Sequence, residues 1–265
     1  MANLPKRRLD EILAARGLAP SRAGAAGLIM AGKVTVDGRR EVKAGTRVDE
    51  AAEIEVAAGR EYASRGGEKL AFALEHFGVA VGGRACLDVG AAAGGFTSCL
   101  LVRGAAHVHA LDVGRGLLAW ELRTDERVTV WEGFNAREFD GSVLEPAPSL
   151  LVADVSFIGL EKVLRPLVPT LAALGEIIAL VKPQFEARRD QVGAGGVVRD
   201  AAVHKEVLQD VVAVFDEIGF AAAAAAASPL TGPAGNREFF LRGVRGASPR
   251  AMDEELAAVT KAAAE

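Results

Sequence analysis

The run Asp88-Val89-Gly90-Ala91-Ala92-Ala93-Gly94-Gly95-Phe96-Thr97 constrains this chain more than any other part of its sequence. A short apolar stretch, Ala85-Cys86-Leu87, precedes it and reads as a buried strand. Ser98-Cys99-Leu100-Leu101-Val102-Arg103 follows it and reads as the first turns of a helix. Strand, glycine-rich turn and helix make the first half of a nucleotide-type site in a doubly wound sheet. The glycines let backbone approach a ligand closely. The helix N-terminus adds free N–H groups and the positive end of its dipole. The spacing differs from the dinucleotide pattern, whose second glycine would fall on Ala92, and from a P-loop, because no Gly-Lys-Ser/Thr follows.

The flanking sequence extends this corner into a fold. Strand signals fall at 85–89, 107–112, 127–131, 149–154 and 175–181, and helical stretches at 69–77, 96–103, 115–122, 159–173 and 201–218. Such alternation gives an α/β domain with a parallel sheet and right-handed crossovers. Three residues then stand where open sheets bind ligands, outside the carboxyl ends of strands. Asp112 ends the second strand, suitably placed to bond ribose hydroxyls, with a helix N-cap as the structural alternative. Asp154 ends the fourth strand, and Lys182 follows the apolar run Ile177–Val181. Lys69 and Glu238, taken alone, are an ordinary helix lysine and an ordinary surface glutamate. His107 and His109 alternate on a strand and read as structural. Trp120 and Trp131 read as packing residues, with Trp120 near enough to Asp112 to line a ring pocket. Arg188, Arg189 and Arg199 flank a glycine-rich loop that is either a nucleic-acid contact or plain surface.

The first 48 residues carry a net charge of +6, which leaves −10 for the remainder of a chain whose total is −4. A basic head on an acidic body points to a nucleic-acid-binding appendage. Residues 5–16 read as a helix, with Pro5 near its start and Gly17 after its end. A second helix runs from Ser21 as N-cap to about Met30 and ends at Gly32. Lys33-Val34-Thr35-Val36 alternates, Asp37-Gly38 is a hairpin turn signal, and Ile54-Glu55-Val56 alternates again. Cys86 and Cys99 have neither metal-ligand nor disulfide-framework spacing. No metal site is expected. No signal peptide opens the chain, and no apolar run reaches the roughly 18 residues of a membrane span. The expected setting is cytoplasmic, with no membrane partner.

The glycine loop resembles the S-adenosylmethionine loop of the FtsJ-like RNA ribose methyltransferases. The head, through Arg8-Leu9-Asp10, Arg16-Gly17-Leu18, Ser21-Arg22, Leu28-Ile29 and Gly32-Lys33-Val34, resembles the ribosomal-protein S-four-type RNA-binding module. Lys69, Asp154, Lys182 and Glu238 match, in order and context, the Lys-Asp-Lys-Glu tetrad of FtsJ-like enzymes. With blocks such as Ser64-Arg65-Gly66-Gly67, Asn135-Ala136-Arg137, Asp154-Val155-Ser156-Phe157-Ile158 and Lys182-Pro183-Gln184-Phe185-Glu186, the chain is identified as a member of the TlyA family, historically called hemolysin A. It departs from the family pattern at Ala92, Ala93 and Ser98.

The resemblance implies a Rossmann-like seven-stranded methyltransferase sheet, completed by strands at 221–227 and 238–241, behind a small α+β RNA-binding domain. It implies domains at 1–58 and 69–250, a linker at 59–68 and a C-terminal helix at 251–265. The implied cofactor is S-adenosyl-L-methionine, held by Asp88, Gly90, Ala91, Gly94, Gly95, Phe96, Asp112 and Asn135. The implied reaction is 2′-O-methylation of cytidine in large-subunit and, in some members, small-subunit ribosomal RNA. Lys69, Asp154, Lys182 and Glu238 would carry it out, while Lys6, Arg7, Arg16, Arg22, Lys33 and Arg65 would contact RNA. A membrane-active hemolysin and a non-catalytic rRNA-binding assembly factor are the alternative readings.

Overall fold

The computed structural model describes residues 6–56 and 61–263. Pro5, residues 57–58 at the end of the expected first domain, residues 59–60 of the expected linker and residues 264–265 of the expected C-terminal helix lie outside them. The chain divides into two units, Met1–Glu61 and Tyr62–Glu265.

In the first unit, β1 (Lys6–Arg8) leads into α1 (Leu9–Ala15), followed by α2 (Arg22–Met30), β2 (Val34–Val36), β3 (Arg39–Glu41), β4 (Arg47–Asp49) and β5 (Ile54–Val56). Leu9, Ile12 and Leu13 recur at helical spacing and are buried with Ala25, Ile29, Val34 and Val48. The first helix was expected from residue 5. It begins at Leu9 because Lys6–Arg8 pairs antiparallel with β4. Ser21 caps α2 as expected, its Oγ accepting the Gly24 N–H at 3.1 Å. Asp37 (φ 50°) and Gly38 (φ 74°) both adopt the left-handed conformation that a two-residue hairpin turn demands. They join β2 to β3, with β5 on the other side of β2.

Asp10 is the buried charge of this unit. Arg8 grips its carboxylate with two hydrogen bonds of 3.0 and 2.9 Å, and Arg22 adds a third at 3.1 Å. The Arg8 guanidinium, with help from Arg22, holds the Asp10 carboxyl at about 2, below its ordinary 3.8. A depressed folded-state value contributes stability above the unfolded value that is lost as pH falls through the folded one. The stability of this unit is therefore expected to drop between about pH 4 and pH 2, by about 2 kcal/mol at most. Asp10→Asn should be less stable at pH 6 and lack that step. Hydrogen exchange of the α1 amides across this range checks it.

In the second unit the chain runs α3 (Arg65–His76), β6 (Ala85–Val89), α4 (Gly95–Val102), β7 (His107–Asp112), α5 (Trp120–Arg123), β8 (Val128–Glu132), β9 (Leu150–Ala153) and α6 (Glu161–Leu167). It continues through β10 (Glu176–Val181), α7 (Pro183–Glu186), α8 (Ala201–Glu217), β11 (Phe220–Ala227), β12 (Phe239–Arg245) and α9 (Asp253–Ala262). The strands form one seven-stranded sheet in the order β11-β12-β10-β9-β6-β7-β8. Strands β6 to β10 run parallel, and β12 is antiparallel to both β10 and β11. Alternate side chains enter opposite cores. Leu87, Leu151, Ala153, Ile177, Ala179, Val181, Phe239 and Leu241 enter one. Cys86, Leu150, Val152, Ile178, Leu180 and Phe240 enter the other.

Several elements differ from their sequence expectation for identifiable reasons. Ser64 caps α3 by accepting the Gly66 N–H at 3.2 Å, so Arg65–Glu68, expected in the linker, form the first turn of the helix. The helix expected at 115–122 is only the single turn α5. The backbone N–H groups of Gly116, Leu117 and Leu118 go instead to the Glu132 carboxylate, at 2.8 to 3.3 Å. The helix expected at 159–173 stops at Leu167 and tightens into a 3-10 turn at Val168–Thr170, where Pro169 has no N–H to continue it. The alanine run Ala221–Ala227 is a strand as the resemblance implied, against its helix propensity. A bulge between Ala222 and Ala224 turns Ala222 and Ala225 toward the same core. Across the pair, the Phe215 ring packs so tightly on Gly243 that a Cβ there would lie 2.7 Å from it. Among the described residues no helix is long and apolar enough to cross a membrane.

Candidate active site

The parallel strands β6, β7, β9 and β10 release their chains at one edge of the sheet, which places Gly90, Asp154 and Lys182 directly after strand ends and Asp112 at one. Glu238 arrives there from the opposite direction. Because β12 is antiparallel and Val181 pairs with Phe239, the residue before β12 stands beside the residue after β10. Helix α3 brings Lys69 to the same edge: a Cβ on Gly66, in its first turn, would lie 3.7 Å from Asp154 Oδ2.

The four residues form two ion pairs. Lys69 Nζ donates to Glu238 Oε2 at 2.5 Å, with both side chains buried. Lys182 Nζ lies 2.6 Å from Asp154 Oδ1 and donates to Ser156 Oγ at 2.8 Å. The Lys182–Asp154 contact is an ion pair rather than a hydrogen bond, since its angle leaves Oδ1 without a hydrogen-bond partner. Buried ammonium groups need such counter-charges, and removing one partner would leave the other uncompensated. Lys182 thus donates one hydrogen bond, to Ser156, and faces Asp154 as an ion pair, which leaves donor capacity for a substrate atom.

Beside these pairs lies a cavity of about 520 Å³ lined by Gly90, Ala92, Asp112, Asn135, Asp154 and Ser156, with apolar walls that include Val113, Leu117, Phe134 and Ile158. Gly90 (φ 87°) closes its floor. A Cβ there would sit 2.4 Å from the Asp154 carbonyl oxygen, so only glycine allows this approach. The Asp112 carboxylate accepts the Ala92 N–H at 2.8 Å through one oxygen and the Gly114 N–H at 2.7 Å through the other. Each oxygen keeps acceptor capacity, which suits the paired hydroxyls of a ribose. A carboxylate for a diol, the Asn135 amide and flat apolar walls are a donor and acceptor set that fits a nucleoside cofactor.

Of the eight residues expected at the cofactor, Gly90, Asp112 and Asn135 line this cavity, while Asp88, Ala91, Gly94, Gly95 and Phe96 do not. The loop turns its Ala92 side outward and then enters α4, which packs inward. Gly94 lies under Leu118 and Leu122, and Gly95 faces Ser64 and Gly67 of the α3 region. Phe96 stacks near Phe240 at 6.3 Å. Asp88 is fully buried. Its Oδ2 accepts the Thr97 hydroxyl at 2.6 Å, its Oδ1 has no partner, and burial pushes the carboxyl up to about 7. Asp88 therefore braces the loop from beneath.

The structure adds residues that the sequence did not single out. Ser156 holds Lys182. Phe157 stands at the cavity mouth, 90 % exposed and at φ 64°, with its ring 5.1 Å from that of Phe185. Both lie in motif blocks already visible in sequence, and a polar or aromatic residue just past a strand end was the available signal. Asn236, buried two residues before Glu238, accepts the Val198 N–H at 3.0 Å and donates to the Gly196 carbonyl at 2.9 Å. It pins the loop flanked by Arg188 and Arg199, and Arg188 itself pairs with Glu206 at 3.0 Å. Trp120 is exposed and outside the cavity. Trp131 packs on Phe139, and its Nε1 donates to His109 Nδ1 at 3.3 Å.

Three of the six residues expected at RNA are tied within their own unit. Arg7 pairs with Glu50 at 2.6 Å, Arg16 donates to the carbonyls of Ala52 and Glu50, and Arg22 pairs with Asp10 and Glu11. Lys6, Lys33 and Arg65 are exposed. Among the described residues no group of three or more His, Cys, Asp or Glu side chains could hold a metal ion.

The fold and this geometry have counterparts. The model of FtsJ-like methyltransferases matches residues 62–245, and that of the S4 domain matches residues 7–54. The chain is 49 % identical over 238 residues to the Mycobacterium tuberculosis 16S/23S rRNA (cytidine-2′-O)-methyltransferase TlyA, covering 89 % of each chain. It is 39 % identical to Hemolysin A of Brachyspira hyodysenteriae, over 88 % of this chain and 97 % of that one. A solved Streptococcus thermophilus structure described as a hemolysin superposes with a TM-score of 0.72 at 36 % identity, covering 98 % of this chain and 96 % of its own. The chain belongs to the TlyA family of FtsJ-like methyltransferases.

Proposed function

We propose that this protein transfers the methyl group of S-adenosylmethionine to the 2′-hydroxyl of cytidine in ribosomal RNA, in the cytoplasm. The observation that carries the reading is the two lysine–carboxylate contacts, both lysines buried, beside a cavity that fits a nucleoside. The cofactor supplies an electrophilic methyl group when bound, so the protein's task is chiefly placement. Asp112 and Asn135 would hold the nucleoside part of the cofactor. Lys182, steadied by Asp154 and Ser156, keeps donor capacity for the 2′-hydroxyl. There it orients the attacking oxygen and stabilises the charge that develops on it. The hydroxyl proton is lost as the methyl–oxygen bond forms. Glu238 fixes Lys69 at the same edge of the sheet.

The N-terminal unit would dock on structured RNA through its exposed cations, among them Lys6 and Lys33. Phosphate contacts of this kind position without reading sequence. The test is transfer from labelled S-adenosylmethionine to purified small and large ribosomal subunits, assayed separately, followed by nucleoside analysis. Label in 2′-O-methylcytidine is the expected result. Label confined to a base, or to no RNA at all, would reject the reading.

A further inference from the structure

We propose that Glu186 is a positioning residue for methyl transfer: through the loop from Asp154 to Leu160 it holds Ser156, and with it the Lys182 amine, in the reacting position. The proposal rests on the functional reading above and deepens it.

Glu186 ends α7, four residues after Lys182. Its Oε1 accepts the Leu160 N–H at 2.8 Å. A Cβ on Gly159 would lie 2.9 Å from its Oε2, so the backbone of residues 159 and 160 rests directly against this carboxyl. The loop is thereby held at both ends. At its start the Asp154 N–H donates to the Val89 carbonyl at 2.9 Å, and at its end Leu160, fully buried, is fixed by Glu186. Between the two anchors Phe157 adopts a left-handed conformation, which persists only where the surroundings impose it. Ser156 precedes it, and its hydroxyl is the second partner of Lys182 Nζ. Glu186 therefore ties the segment after β10, which carries Lys182, to the loop after β9, which carries Asp154 and Ser156.

The surroundings of Glu186 fit a hydrogen-bonding rather than a charge-pairing role. The cavity around it is lined by Glu161, Asp210 and Glu217, and by Arg165, which pairs with Glu161 and Glu217. Burial pushes the Glu186 carboxyl up to about 7, with Glu161 and Asp210 adding to the effect. The amide oxygen of a glutamine can accept the Leu160 N–H where the carboxyl oxygen does, so glutamine should replace it.

The test uses the full chain and compares Glu186→Ala, Glu186→Gln and Gly159→Ala. Glu186→Ala should lower kcat about tenfold to a hundredfold, with KM for S-adenosylmethionine and RNA within about threefold, the pattern of a displaced reacting group. Gly159→Ala, which crowds the carboxyl from the other side, should cause a smaller loss of the same kind, because the end of the Glu186 side chain can give way. Glu186→Gln should stay within about twofold of the parent. Hydrogen exchange gives a readout independent of turnover: the Leu160 amide should lose protection in Glu186→Ala and keep it in Glu186→Gln. An active parent with an equally active Glu186→Ala and Gly159→Ala would overturn the proposal, as would a glutamine variant as impaired as the alanine one or a defect confined to KM. Unchanged Leu160 protection in Glu186→Ala would overturn it too. A parent that labels no RNA would instead reject the functional reading, while the exchange result would still decide whether Glu186 holds the loop.

Discussion

Lys182→Ala is expected to lower methyl transfer by about 10³-fold while leaving cofactor affinity within about threefold. The separation of the two effects follows from the geometry. Lys182 does not line the cavity that fits the cofactor, whereas its partners Asp154 and Ser156 do. Removing the amine deletes the group placed to meet the 2′-hydroxyl and leaves the walls of the cavity standing. Asp154, partly exposed, can recruit water in place of the lost ammonium, so folding should survive. Lys182→Arg should not restore activity, because a guanidinium is larger, planar and spreads its charge over three nitrogens. Isothermal titration with the cofactor and single-turnover labelling of rRNA check the two halves. A variant that retains more than a tenth of the parent rate would show that Lys182 is not the group that meets the hydroxyl.

Gly90→Ala should be the most damaging single-methyl change in the cofactor cavity. Its φ of 87° already penalises any side chain, and the added Cβ would meet the Asp154 carbonyl oxygen at 2.4 Å, a backbone atom with nowhere to move. Strain and collision together should cost about 3 kcal/mol and shift the segment that carries Asp154. Cofactor affinity should fall at least tenfold as the cavity floor is displaced. Gly78→Ala is the control: its φ is 63°, but the space around it is open, so only the conformational cost of about 1 kcal/mol applies. Thermal melts of both variants, with and without cofactor, measure the difference. Equal losses at the two positions would mean that the contact with Asp154 plays no part.

What the sequence could convey follows from which interactions are local. Strand positions were legible because their apolar runs are short and bounded, and the hairpin at Asp37-Gly38 because its turn chemistry is written in two residues. Helix boundaries were less so. That Lys6–Arg8 is a strand depends on residues 47–49, and that residues 116–118 are not helical depends on Glu132. The alanine strand was legible only through family resemblance, since its own propensity argues for helix. In the site, strand-end positions announced Asp112, Asp154 and Lys182. Lys69 and Glu238 carry no local signature, because each becomes significant only when a partner 169 residues away reaches it. The glycine motif shows that backbone turns tightly, but not which of its residues line the cavity and which, like Gly94 and Gly95, pack against the protein. Charge in the N-terminal unit likewise does not tell that Arg7, Arg16 and Arg22, though exposed, are also paired within their own fold.

The antiparallel last strand has a further meaning for how this enzyme is studied. Among the described residues, those that line the cavity proposed for the cofactor precede residue 164, whereas Glu238 joins the site only with β12 in place between β10 and β11. Contacts that close so long a stretch of chain carry the largest entropic cost of closure, and they are won only by completing the sheet. Cofactor binding and methyl transfer therefore report on different things. The first can be met by the front part of the sheet, while the second registers the whole sheet, down to its final strand, so that turnover serves as a gauge of native structure that ligand binding alone does not provide.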